Sequence, residues 1–488
     1  IAYYSYFTNQ KMIEGRYFMA LSRTITADLV DAKEQGFSFL DLKKIVAVSL
    51  PLVLTELSAA FMVFSDRVIL AHYNTEAMVA ATAASNVFFI FQFGLVAIAM
   101  IAEVFVAQCH GAKAFDKISQ PVWQMIWFSL LSAILLIPFA FYTPSGLFAA
   151  EYHQYAKPYF TWLMIFGATF PLVAAISAFF VGMSQIRFVL KAALIGNAFN
   201  LFLSYVLVNG MGIFPAFGIA GAAIATGLSN LFIALLLLLK FLNKENRSRY
   251  YTHQASLNLP MLFRCIKVGF PNALAHMSAA AAWALILYVL SQVSFEHVFV
   301  MSFGFTLWTF CHFISEGLGR GVSILAAQRL GANRRDELKT LLFQGLSLEF
   351  MFVMLLAVPF LMFPNFWVDL LLPYHTEGLQ NHEALSALVS TSCLWIWLAI
   401  LFDGLLWVVD GILTALGDTR FMMMLHSVGT WVFYLAPLLI LLTLYQSAPV
   451  MTLQITSLFC MSMFFAYMIR FMYNEKHKKV YLKVAKAV

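Results

Sequence analysis

The chain has 488 residues, of which 62% are hydrophobic, 16% aromatic and only 11% charged, whereas soluble domains are roughly 45–50% apolar and about 25% charged. That balance excludes a water-soluble fold, so the solvent for this surface is lipid. The net charge of +6 does not point to nucleic acid, because the charges fall in short gaps between apolar runs and form no basic domain.

In chain order, residues 1–40 read as an N-terminal cytoplasmic segment. It opens on Ile1 rather than Met, which points to a start lost upstream. A helix crossing the hydrocarbon core needs about 20 largely apolar residues. Such runs fall near 45–70, 78–108, 121–142, 158–182, 188–209 and 218–243, and again near 262–291, 297–327, 341–363, 384–415, 421–444 and 448–474. They are too long for membrane strands and lack period-two alternation. The expected fold is therefore an all-α membrane protein of twelve transmembrane helices. The polar stretch 244–260 (KENRSRYYTHQASLNLP) reads as a linker between a lobe over 41–243 and a second over 261–475, and 476–488 form a basic tail. The five cysteines (Cys109, Cys265, Cys311, Cys393, Cys460) lie in or beside apolar runs without metal-ligand spacing, and are expected to be packing residues.

Orientation follows from lysine and arginine, which concentrate on the cytoplasmic side. With both termini inside, all but three of the 30 basic residues fall on that side, the exceptions being Arg67, Lys157 and Arg320. An odd number of helices would scramble this sorting.

The chain also repeats itself. One constant shift along the sequence lays Pro51 on Pro271, Glu56 on His276, Ser58-Ala59-Ala60 on Ser278-Ala279-Ala280, Ala107-Gln108 on Ala327-Gln328, Gly111-Ala112 on Gly331-Ala332, and Asp116 on Asp336. Further on a longer shift applies, and Arg187-Phe188 meets Arg420-Phe421. The extra length fits a longer external loop at 364–383. Six helices per unit make both halves enter from one side, a parallel repeat like that of transporters whose two bundles rock around a central site.

SLPLVLTELSAAFMVFSDRVILAH in the first helix, the turns AQCHGAKAFD and AQRLGANRRD, GNAFNLFLSYVLVNGMGIFPAFGIAGAAIAT over helices five and six, and DGLLWVVDGILTALGDTRF in helix ten stand in this order. In that order they resemble the multidrug and toxic compound extrusion (MATE) family over about residues 40–475. The resemblance implies two six-helix lobes in a V, a lumen open alternately to either face, and export of amphipathic, often cationic compounds in exchange for Na+ or H+.

Charged side chains at mid-membrane cost roughly 2.5–3.5 kcal/mol on insertion scales, so acids inside apolar runs are site candidates. Asp66, Glu56, Glu103, Glu316, Asp403 and Asp410 fall there. The resemblance makes Asp66 the cation-binding carboxylate of the first lobe, with partners from an N-x-x-x-[ND] pair on helix five. Here that pair reads Asn200 and Ser204, four residues apart and so on one helix face, and Thr226 on helix six adds another oxygen. These oxygens suit a hard cation. Ser204 stands where the family has an amide or acid, which leaves proton coupling open. The bland alternative has Asp66, one turn from the outer helix end, pairing with Arg67 or meeting water. Asp403 matches a helix-ten acid of some family members. Asp410 lies seven residues on, about 700 degrees around the helix and so nearly on the same face. The two acids suit a proton or cargo relay, or else each pairs with Arg320 or a backbone donor as packing. On helix seven Ala279 stands where related transporters carry a Glu, and His276 nearby is a substitute proton carrier.

The 23 Met and 49 Phe offer adaptable apolar surface for varied cargo, and Pro51, Pro171 and Pro271 permit helices to bend. No G-x-x-x-x-G-K-[ST] occurs, so ATP is not the direct drive, and no tightly bound cofactor is expected. The reading is a monomeric, non-enzymatic antiporter of the plasma (inner) membrane. Its expected partners are small organic, often cationic molecules and the bilayer. The alternative is a flippase-like transporter of lipid-linked or metabolite cargo in the same superfamily. A major facilitator transporter would carry a G-x-x-x-D-R-x-G-R-R-like loop after helix two, and HGAKAFDKIS is not one. A membrane enzyme or channel would show a catalytic cluster or filter.

Overall fold

A computed structural model describes residues 39–142, 148, 153–364, 366–367, 382–445 and 448–479. The N-terminal segment up to residue 38, most of the 364–383 loop and the end of the basic tail lie outside the described residues. Among the described residues, twelve helical spans are long and apolar enough to cross a membrane: α1 (Leu42–Tyr73), α2 (Thr75–Gly111), α3 (Phe115–Phe141), α4 (His153–Gly182), α5 (Ile186–Asn209), α6 (Ile219–Phe241), α7 (Leu259–Val293), α8 (Phe295–Gly331), α9 (Arg335–Met362), α10 (Ser386–Leu416), α11 (Thr419–Leu442) and α12 (Val450–Lys476). A chain this apolar satisfies its backbone in lipid by making every span a helix. The protein is an all-α, multi-pass membrane protein, and the described residues hold no strand.

Local breaks have local causes. α4 is interrupted between Ile165 and Thr169, just ahead of Pro171, whose ring removes a backbone donor and crowds the preceding turn. In α9 the helix Leu338–Ala357 gives way to a wider turn over Val358–Met362 beside Pro359. A longer π-helical stretch, Gly429–Leu435, interrupts α11.

The internal repeat is written into the backbone. Asn74 caps α2, its side chain accepting from the Glu76 and Ala77 N–H groups. Ser294, its counterpart under the first shift of the repeat, caps α8 through the His297 N–H. After α2 the Ala112 N–H donates to the Gln108 carbonyl at 2.9 Å and Lys113 takes φ +57°. After α8 the Ala332 N–H donates to the Gln328 carbonyl at 2.9 Å and Asn333 takes φ +59°. Ser184 (φ +58°) and Gly417 (φ +80°) turn the chain after α4 and α10, and the longer shift lays one on the other. Both shifts of the sequence repeat thus mark equivalent turns.

Three buried clusters define the overall shape. One draws on both halves, from Ile45, Phe105 and Phe179 to Val322, Leu341 and Leu416, and occupies the end that carries the turns after α2 and α8. Toward the other end the core divides. Leu70, Phe88 and Phe160 belong to a cluster of the first half alone, while Leu290, Val353 and Tyr434 belong to one of the second half alone. The halves therefore share a core at one end and separate toward the other, which is a V. At the joined end helices approach closely over small residues. Gly317 and Gly321 of α8 lie against Val53 and Ser49 of α1, and Gly269 of α7 lies against Ile98 of α2. Large apolar side chains such as Ile134, Leu135, Phe202 and Leu355 face outward, as a lipid-facing surface requires. All five cysteines are buried and free of disulfides.

Candidate cation and cargo sites

In the first half, α1 carries Asp66 into the bundle, where it is 5% exposed. Its Oδ1 accepts from the Ser204 hydroxyl at 2.6 Å and its Oδ2 from the Thr226 hydroxyl at 3.0 Å. Asn200 and Ser204 are both fully buried, while Leu201, Phe202 and Tyr205 between and beside them are not, so the four-residue spacing aims the polar pair inward. With its amide nitrogen toward Asp66, Asn200 donates to Asp66 Oδ1 at 3.3 Å and its oxygen accepts from the Thr226 N–H at 3.3 Å, satisfying both ends of the amide. Four residues from α1, α5 and α6 thus converge. The carboxylate and two rotatable hydroxyls, joined by the amide oxygen when the Asn200 amide turns over to point it at Asp66, make an all-oxygen set that fits a hard cation, and the same carboxylate can hold a proton. Arg67 does not neutralise this site by direct contact. It turns instead to α2 and α4, donating to Ser85 Oγ at 2.6 Å with its guanidinium 5.9 Å from the centre of the Tyr159 ring.

In the second half, Asp403 of α10 sits in an aromatic box. Its Oδ2 accepts from Trp308 Nε1 at 3.1 Å and lies 3.1 Å from His312 Nδ1, both on α8. Trp407 Nε1, one turn along α10, is 3.3 Å from the same His312 nitrogen. The His312 ring lies 4.3 Å from Trp308 and 5.1 Å from Trp407; His276 stacks near Trp407 at 6.3 Å, and Trp283 near Trp308 at 6.0 Å. An acid ringed by indoles and imidazoles can attract an organic cation by charge and by ring faces together.

Asp410 has a separate partner, the Thr414 hydroxyl at 3.5 Å, rather than sharing those of Asp403. Glu316 lies within electrostatic reach of Glu56, His312, Asp403 and Asp410. Glu56 is engaged across the halves: Arg320 of α8 makes a short ion pair with it and a second pair with Glu103 of α2 at 2.7 Å. Arg320 therefore serves neither Asp403 nor Asp410.

Two residues outside the sequence candidates belong here. Glu349 of α9 is fully buried; its Oε1 meets the Ser315 hydroxyl at 2.6 Å and its Oε2 has no hydrogen-bond partner. The signal for it, an acid inside an apolar run, stands in the sequence as it does for Asp403. His312 carries a weaker signal, one imidazole among aromatics, and only the fold brings it to Asp403.

A family model described as MatE matches residues 51–206 and 271–440, one copy on each half. The chain belongs to the MATE family. MATE proteins are transporters, and this chain is a transporter rather than an enzyme. It is 23% identical over 389 residues to the multidrug resistance protein NorM of Burkholderia vietnamiensis, covering 78% of this chain and 83% of that one. It is 23% identical over 325 residues to a probable multidrug resistance protein NorM of Pasteurella multocida, covering 64% and 69%. Among solved structures it is similar to a MOP superfamily transporter from Pyrococcus furiosus, with TM-score 0.74 and 16% identity over 90% of this chain and 97% of that one. It is also similar to an outward-facing MATE transporter of the MOP superfamily, with TM-score 0.72 and 17% identity over 90% and 96%. At these identities the structural likeness speaks to the fold, which is the MATE fold.

Proposed function

We propose that this protein is a secondary active antiporter that exports amphipathic, often cationic small molecules and takes Na+ or H+ inward in exchange. The relatives named for multidrug resistance support the cargo class. The observation that carries the coupling is the convergence of Asp66, Asn200, Ser204 and Thr226 in the buried interior of the first half. An ion bound there draws on oxygens from three helices, so its arrival or departure alters how those helices pack.

The lobes are residues 41–243 and 261–475, joined by 244–260. The basic residues favour cytoplasmic termini. The joined end then faces the cytoplasm and the V opens outward, in the plasma (inner) membrane, with one chain as the working unit. Asp403, with Asp410, Glu316 and His276 around it, forms a second acidic site that receives cargo or protons. Glu56 belongs to the contact between the lobes. One charge moving through ~100 mV supplies about 2.3 kcal/mol, enough for a cargo gradient of roughly 50-fold.

The test is ethidium efflux from proteoliposomes driven in turn by Na+ pulses and by pH jumps. Wild type is expected to export under one of the two, and Asp66→Asn to be folded by size-exclusion profile yet inactive under both. Export by Asp66→Asn at the wild-type rate refutes the ion site, and export without any ion gradient refutes antiport.

A further inference from the structure

We propose that His312 and Asp403 form a proton-sharing pair in the second half, in which His312 relays a proton out of the site when an organic cation takes its place on Asp403. The proposal rests on the antiport reading above and adds to it a residue, a route and a competition.

The observation is an over-subscribed nitrogen. His312 Nδ1 lies 3.1 Å from Asp403 Oδ2 and 3.3 Å from Trp407 Nε1. An indole nitrogen only donates, so the Trp407 contact requires a bare Nδ1. An ionised carboxylate only accepts, so the Asp403 contact requires a proton on Nδ1 or on Asp403 itself. Bare Nδ1 has one in-plane lone pair, so it accepts from Trp407 or from a protonated Asp403 but not from both, and once protonated it accepts from neither. The pair thus has two discrete arrangements. In the first, Asp403 is protonated, His312 carries its proton on Nε2, and bare Nδ1 accepts from Trp407. In the second, Asp403 is ionised, His312 carries its proton on Nδ1 and donates it to Oδ2, and the Trp407 N–H has lost its acceptor.

The step between them balances. The Asp403 O–H bond breaks as the Nδ1–H bond forms across the 3.1 Å contact. The Nε2–H bond breaks, and that proton goes to solvent, to which the His312 side chain is 19% exposed. Imidazole stays neutral, and one negative charge remains on Asp403. Trp308 Nε1 donates to Oδ2 throughout, which holds the carboxylate in place. A cargo cation supplies the compensating charge, and the half-buried faces of Trp308, Trp407 and Trp283 supply surface for it. Cargo arrival and proton departure are thereby linked at one carboxylate.

The other titratable groups around His312 have their own engagements. On its own helix Glu316 lies one turn on, and Arg320 is paired with Glu56 of α1 and Glu103 of α2. From α9 Glu349 bonds Ser315, and from α10 Asp410 bonds Thr414. His276 of α7 stacks near Trp407. His426 of α11 and Cys460 of α12 are within electrostatic range of Asp403. Among the described residues, hydrogen-bond contact with Asp403 comes from His312 and Trp308.

The experiment adds ethidium to purified protein in weakly buffered detergent and follows protons with a pH dye and binding by fluorescence. It is run in the Asp66→Asn background, which silences the first-half site. Asp66→Asn protein is expected to bind ethidium and release about one proton per cargo. Asp66→Asn/His312→Gln keeps a hydrogen-bonding side chain that cannot relay, and at saturating ethidium is expected to release, per ethidium bound, less than a third of those protons. A residue that merely packs would leave the release unchanged, so unchanged release overturns the proposal. Release by wild type but none by Asp66→Asn also overturns it, while leaving the antiport reading intact. A second readout needs no cargo: the protonated-carboxyl infrared band lost in Asp403→Asn must shift in His312→Gln, and an unshifted band sinks the pair even if ethidium is not a cargo.

Discussion

Gln108 and Gln328 make the same bond from opposite halves of the molecule. Gln108 Nε2 donates to the Ala415 carbonyl at 3.1 Å and Gln328 Nε2 donates to the Gly182 carbonyl at 2.9 Å. The two donors are related by the first shift of the sequence repeat and the two acceptors by the longer one, so the pair closes the joined end of the V about its pseudo-twofold axis. Each glutamine fastens the end of a helix in the other half. Beside them Gly111 and Gly331 let α2 and α8 cross with their backbones in contact. A β-carbon at Gly111 would lie 1.9 Å from the Gln328 carbonyl oxygen, and one at Gly331 would lie 2.0 Å from that of Gln108.

Gly111→Val should therefore prevent this closure, because backbone rather than a flexible side chain stands in the way. Spin labels at Lys113 and Lys339 should show a longer distance distribution than in the otherwise native protein, and ethidium export should fall at least tenfold. An unchanged distribution would mean that the crossing tolerates bulk and does not control the state.

Removing either hydroxyl from the Asp66 site should weaken the coupling ion without unfolding the protein. A hydrogen bond to a charged group is worth about 1.5–3 kcal/mol, so Ser204→Ala and Thr226→Val should each raise the ion concentration for half-maximal export by roughly tenfold or more. Titration of export against the ion that drives it measures this. Equal half-maximal concentrations would separate Asp66 from its hydroxyl partners.

Arg320 holds two carboxylates from two helices of the opposite half. Removing one partner of a buried ion pair costs about 3–5 kcal/mol, because the other charge stays buried. Arg320→Gln should lower the melting temperature in detergent, and the triple change Arg320→Gln, Glu56→Gln, Glu103→Gln should recover most of the loss. Without that recovery the arginine would be acting through packing instead of charge.

Gly404 makes room for Glu349. A β-carbon there would sit 2.1 Å from Glu349 Oε1 and 3.0 Å from Ser315 Oγ, and overpacking of this kind costs about 1–3 kcal/mol. Gly404→Ala should be destabilised. Glu349→Gln, of equal size, should not rescue it, whereas Glu349→Val, which also removes a buried oxygen that has no partner, should. Melting curves of the two double variants decide the matter.

Much of the first-half site is readable in the chain because its cues are local. A four-residue spacing puts Asn200 and Ser204 on one face, and an acid inside an apolar run marks Asp66. The second half is harder to read. Asp403 is visible, but its partners His312 and Trp308 lie on α8, two helices earlier, and nothing in their own surroundings distinguishes them from packing aromatics. Asp403 and Asp410 share a helix face, yet α8 offers one an imidazole and an indole, while the other meets a threonine hydroxyl of its own helix. Arg320 looks like a counter-ion for α10 until the folded α8 presents it to α1 and α2 instead.

By itself the sequence determined the solvent, the twelve helices, the duplication and the buried acids, because hydrophobic run length, repeat offset and the cost of charge in lipid are properties of a chain in order. Which acid meets which base was decided only by the tertiary structure. Those pairings depend on how helices far apart in sequence cross and rotate, and crossing is set by close packing of small residues such as Gly111, Gly317 and Gly404 against distant neighbours, a matter of three-dimensional fit on which helical periodicity carries no information.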